Sequence, residues 1–180
     1  MDFYYYVNYF ELLEERLYNV KKFVAFENEN KDVFSIEFAS IINDCCGLIN
    51  GFCFELCKQE NPAKDEFNMT DYKKYIFNNF QKEEFVFCDK FILQPWEKLI
   101  NNDIDKKTST PLWWKVYNEI KHSGKPYFQK ATLRNAISCM TGMFSLLVMY
   151  DFKQFGSTMC NWHGLFKDAG NAGKGTSWEC

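Results

Sequence analysis

Residues 35–58 read SIEFASIINDCCGLINGFCFELCK. Apolar side chains fall at Phe38, Ile41, Ile42, Cys45, Leu48, Ile49, Phe52, Cys53 and Leu56. Steps of three and four suit the 3.6-residue helical turn rather than the two-residue period of a strand. The stripe is broad, so it predicts a helix over 35–58 with an extensive buried face. Gly47 and Gly51 lie inside it, four apart, and lower its intrinsic propensity. Close approach of a neighbouring helix is the expected reason. Cys46, Cys53 and Cys57 share a face with Ile42 and Ile49. Free cysteine is among the most buried residue types, so these thiols are expected in the core.

Phe10, Leu13, Leu17 and Val20 recur at helical spacing and predict a helix over 6–24. Acids precede Lys21 and Lys22, as the helix dipole prefers. ENENKD (27–32) is a polar break, and QENPAKDEFN (59–68) a loop. Thr70 is the expected cap of a short helix over 71–81. EFVFCDKFILQPW (84–96) is rich in Phe, Val and Ile, which favours an extended or hairpin segment near 84–93 that Pro95 stops. After the polar loop 101–110, Thr110 and Pro111 mark a helix start, and Gly124 and Pro126 its end. Leu133, Ile137, Met140, Phe144, Leu147 and Val148 stripe the last long helix, 130–155. The fold class expected is all-α: an antiparallel bundle of about four to five main helices, with the helices at 35–58 and 130–155 central. Residues 1–155 form one domain, and 156–180 a Gly-rich tail expected to be mobile.

Composition narrows the function. The chain has 180 residues, enough for one domain with a proper core. Its net charge is −3 and it has only two arginines, Arg16 and Arg134. No global positive field draws in nucleic acid, and the residue best suited to bidentate phosphate contacts is scarce. The start, MDFYYYVNYF, lacks the basic region of a signal peptide. The longest apolar stretch, 140–150, is broken by Thr141, Gly142 and Ser145 and is too short to span a bilayer. A soluble cytoplasmic protein with no membrane partner is expected, and its eight cysteines are then expected to be free. CNWH (Cys160, His163) has ligand-like spacing but no second compact pair, so no metal site and no cofactor are expected. GNAGKGTSW (170–178) brushes against a phosphate-loop pattern, but Gly175 stands where Ser or Thr is needed.

PLWWKVYNEIKHSGK (111–125) is the candidate for chemistry. On a helix, Trp113, Val116, Tyr117 and Ile120 fall on one side. Trp114, Asn118, Lys121 and His122 fall on an adjacent one. That second face joins an amide, a cation and a group that titrates near neutrality. Such a cluster can hold a phosphate or move a proton. The plain structural reading is a helix end with a solvated Lys and one His.

YNEIKH in an otherwise helical chain of this size resembles the signature helix of the HEPN superfamily. The arrangement of SIEFASIIND, LQPWEKL, PLWWKVYNEIKH and ATLRNAISCMTGMFSLL, spread over 34–150, looks like an uncharacterised branch with a WWxxYNxxKH hallmark. HEPN domains are compact helical proteins of prokaryotic toxin–antitoxin, abortive-infection and CRISPR systems. Active members are metal-independent endoribonucleases, with a motif of Arg, a short spacer and His, often with Asn directly after the Arg. Asn118 and His122 match the Asn-to-His part, and Tyr117 stands where the motif has Arg. The resemblance implies a homodimer with two motif helices meeting at the two-fold, RNA as substrate, and a protein partner or antitoxin. It implies His122 as the proton-transfer group, Asn118 as its positioning partner and Lys121 as the charge-stabilising group. Lys115, Trp114 and Tyr117 would contact substrate. The alternative is a catalytically inactive HEPN-like module that binds a protein partner or a nucleotide-like ligand.

Overall fold

The computed structural model describes residues 1–77, 84–88, 90–101, 110–123, 125–156, 164–168 and 176–177. Its helices are α1 (Phe3–Val20), α2 (Ile36–Glu60), α3 (Met69–Tyr75), α4 (Glu97–Asn101), α5 (Leu112–Ser123) and α6 (Leu133–Phe155). Four short strands, β1 (Phe85–Phe87), β2 (Phe91–Leu93), β3 (Phe166–Asp168) and β4 (Thr176–Ser177), form a sheet in the order β3-β1-β2-β4. The protein is thus a helical bundle with a small sheet attached. Among the described residues no helix is long and apolar enough to cross a membrane.

Local chemistry sets the helix starts. Asp2 accepts a hydrogen bond from Tyr5 N, so α1 begins three residues before the start expected from its apolar stripe. Ser35 accepts from Phe38 N and caps α2. Thr132 caps α6 through Asn135 N, and Gly156 ends it at φ 70°, in the left-handed region that glycine adopts without strain. At α3 the cap is Asn68 rather than Thr70. Asn68 accepts from the Thr70 and Asp71 amides while Asp71 accepts from Asn68 N, a reciprocal capping box. That helix ends at Tyr75, and residues 78–81 of the expected span lie outside the described residues.

α2 and α6 pack against each other and carry the broadest buried faces. Both begin at one place. Phe34 pairs with Thr132 in an isolated bridge, Ser35 N donates to Ala131 O, and Leu133 N donates to Val33 O. Cys45 then meets Cys139, and Phe52 meets Tyr150 further along, so the two helices run side by side in the same direction. α1 opposes both: Tyr6 reaches Phe52, Arg16 reaches Glu37, and Phe10 stacks on Phe144. Antiparallel neighbours therefore flank a parallel central pair. Cys45, Cys46, Cys53, Cys57 and Cys139 are all buried in it as free thiols.

The segment near 84–93 is a hairpin, with Phe85 opposite Leu93 and Phe87 opposite Phe91. Its sequence does not alternate because β1 is buried on both faces. Phe85 packs on Phe144, while Phe87 packs on Phe26 and Phe166. Phe166 comes from the segment read as a tail. It is buried against Phe10, Phe87 and Phe144, so 164–168 contributes to the core.

Glu14 of α1 holds this segment. Its carboxylate accepts from Leu165 N at 2.6 Å and also from Phe166 N. A Cβ on Gly164 would overlap that carboxylate. Burial raises the Glu14 pKa, and the two amide bonds only partly oppose the rise. A raised carboxyl favours folding while protonated. The contribution is full below the unfolded carboxyl range and is lost as pH climbs through the folded pKa. Glu14→Gln cannot ionise, so its melting temperature relative to the parent should be highest near neutral pH and fall towards acid. Parallel melting curves of the two proteins across that range would show that burial of the charge is not the dominant effect.

Candidate functional site

α5 is anchored through Trp113. Its indole is fully buried, its Nε1 donates to Pro95 O at 3.1 Å, and its ring meets Trp96 edge-on at 5.0 Å. Trp96 Nε1 donates in turn to Gly142 O and to Ser145 Oγ. Cβ placed on Gly142 would lie 3.0 Å from Trp113 Cζ2, so this is where a missing side chain lets two helices approach. The close helix approach expected at Gly47 and Gly51 is not found there. Gly51 sits under the Tyr6 hydroxyl at ordinary contact distance, and Gly47 has open space above it.

Val116 and Tyr117 complete the inner face of α5, and Ile120 is half-buried. The outer face holds the residues read as chemical. Lys121 and His122 are exposed in the last turn, Asn118 is half-buried one turn earlier, and Lys115 and Trp114 are half-buried further back. Lys121 Nζ donates to Tyr117 Oη at 3.2 Å and lies 5.4 Å from the centre of that ring. The Tyr117 ring tilts against Trp114 at 5.4 Å. Tyr117 therefore belongs to the core with its hydroxyl at the edge, where it holds the Lys121 ammonium. Glu119 accepts from Lys130 at 2.8 Å and ties α5 to the 3-10 turn Lys125–Lys130. Lys115 and His122 make no ion pair among the described residues. The C-terminal end of α5 supplies partial negative charge beside Lys121, which suits its ammonium.

His122 is exposed at the end of α5. Among the described residues no group of three His, Cys, Asp or Glu is placed to hold a metal. Cys160 and His163 lie outside the described residues.

A second feature lies between α1 and α2. Tyr5, Tyr6 and Tyr9 wall a groove of about 340 Å³, with Gly47, Leu48 and Gly51 along one side and Asn43 and Asp44 beside them. Sequence reading missed it. Its signal was present in YYYVNY facing two glycines four apart, but the glycines invite a packing explanation unless the facing helix is known. Comparison of the chain with family models, curated proteins and solved structures finds no match.

Proposed function

We propose that the chain is a HEPN-type protein that acts on RNA through the exposed end of α5, cleaving it without a metal ion. The observation that supports this most is the placement of Lys121. Its ammonium is held on Tyr117 in the turn that also carries the exposed His122, and Asn118 precedes His122 by one turn. His122 takes the proton of a ribose 2′-hydroxyl, whose oxygen attacks the adjacent phosphorus, and the 5′-oxygen leaves. Lys121 offsets the charge that develops on the phosphorane oxygens, with Lys115 as the weaker cation. Asn118 orients the imidazole or the phosphate. One α5 presents these groups on an open surface, so enclosure comes from a second copy across a two-fold axis. A toxin or phage-defence setting, with a protein partner or antitoxin, follows from the resemblance.

A second reading is a catalytically silent module that binds a protein partner or a nucleotide-like ligand. Burial of Tyr117 at the motif's Arg position favours it, because a lysine ammonium lacks the planar fork of guanidinium.

The test is incubation of purified protein with mixed cellular RNA in chelator. Cleavage leaving cyclic phosphate ends is expected, reduced about 10²–10⁴-fold in His122→Ala with its fold intact. Cleavage that ignores His122→Ala removes the assignment. An inert parent that sediments as a monomer leaves the silent module.

A further inference from the structure

We infer that the groove between α1 and α2 binds a small organic cation bearing N–H donors, of the size of a polyamine. The inference is independent of any action on RNA. The groove's volume, about 340 Å³, suits a small molecule. Its chemistry asks for positive charge from three sides.

The first is aromatic. Tyr5 and Tyr6 meet at 82° with ring centres 5.3 Å apart, and Tyr9 lies 6.1 Å from Tyr5. Perpendicular rings form a corner that offers π-faces from two directions, the geometry that attracts an ammonium group. The second is acceptor chemistry. Asn43 lines the groove, and its Oδ1, buried from solvent, has no hydrogen-bond partner among the described residues, so a small turn of the side chain presents it to a guest. Arg16 and Ser40 both approach Oδ2 of Asp44, at 2.7 and 3.5 Å, and its Oδ1 accepts no hydrogen bond among the described residues. The Tyr6 hydroxyl, which could serve as a donor to a ligand, is already donated to Glu55 at 2.7 Å. The third is net charge. Asp44 is the one charged residue in the lining, and Tyr6 at its wall is bonded to the carboxylate of Glu55. The lining thus carries a carboxylate and no cationic side chain, so a cationic guest is favoured over an anionic one.

The glycines make the room. Gly47 is exposed with nothing within 4 Å of a Cβ, so a side chain there enters the groove without touching the core. Tyr5 is 54% exposed, so its removal spares the fold.

Titration of the full chain with spermidine, followed by calorimetry and by NMR shifts of the tyrosine rings, tests the inference. Saturable binding that shifts Tyr5, Tyr6 and Tyr9 is expected. Tyr5→Ala should weaken it about tenfold. Gly47→Leu should abolish it while melting at or above the parent temperature. Diacetylputrescine, which has similar reach and no charge, should not bind. Absence of saturable binding, equal binding of the neutral analogue, or unchanged binding in Gly47→Leu each overturns the proposal. So does preference for a lysine- or arginine-containing peptide over spermidine, since the occupant would then be a protein segment.

Discussion

Trp113→Ala should destabilise the protein by about 3–5 kcal/mol, the range for truncating a fully buried Trp. For a chain of this size that corresponds to a melting temperature roughly 6–20 °C lower. The residue joins three parts of the molecule. Its ring closes on Trp96 and Gly142, and its Nε1 satisfies Pro95 O, so truncation leaves both a cavity and an orphaned carbonyl. The Gly142 contact cannot compensate, because Trp96 holds this turn of α6 through Gly142 O and Ser145 Oγ. Denaturant midpoints would check this. A variant that unfolds with the parent would mean that α5 is held mainly by other contacts.

Tyr117→Arg tests the departure from the HEPN pattern and should also lose about 3 kcal/mol or more, the cost scale of an unpaired buried charge. Tyr117 is 8% exposed, and Trp114 packs on its ring. Lys121 Nζ already occupies the edge of the position at 3.2 Å, so a guanidinium there adds repulsion to desolvation. Tyr117→Phe separates the two effects. It keeps the packing, loses only the hydroxyl contact to Lys121, and should cost about 1 kcal/mol. If Tyr117→Arg unfolds with the parent and cleaves RNA faster, position 117 opens to the site and its tyrosine stands in place of a catalytic group.

Much of the bundle was legible because helical periodicity is a local property. The stripes from Phe38 to Leu56 and from Leu133 to Val148 found the two central helices, and Ser35 marked a true start. The inward facing of Trp113 and Tyr117 was legible for the same reason. Features set by distant partners were less so. β1 lost its alternation because Val86 is buried as well as Phe85 and Phe87, whose shared face meets Phe26, Phe144 and Phe166, and Phe166 arrives from a segment whose glycines read as a tail. Asn68 outcompeted Thr70 as a cap because Asp71 completes the reciprocal pair. Of the candidate site, residue identities and facing could be read, whereas the Tyr117–Lys121 contact needed a conformation for a flexible lysine. The tyrosine groove needed knowledge that α1 crosses Gly47 and Gly51.

The shared starting point of α2 and α6 has a consequence for synthesis. Cys45 donates to the carbonyl of Cys139 across 94 residues of chain, so the central seam cannot close from local contacts. At translation rates of about 5–20 residues per second, α2 waits roughly 5–20 s for α6 to leave the ribosome. During that interval α1 can cover part of α2, since Tyr6 and Arg16 reach it from the preceding helix. The face bearing Cys45 and Ile49 has no partner yet. The nascent protein thus passes through a stage in which its most apolar surface is uncovered, and chaperone demand should peak there, ending when α6 emerges.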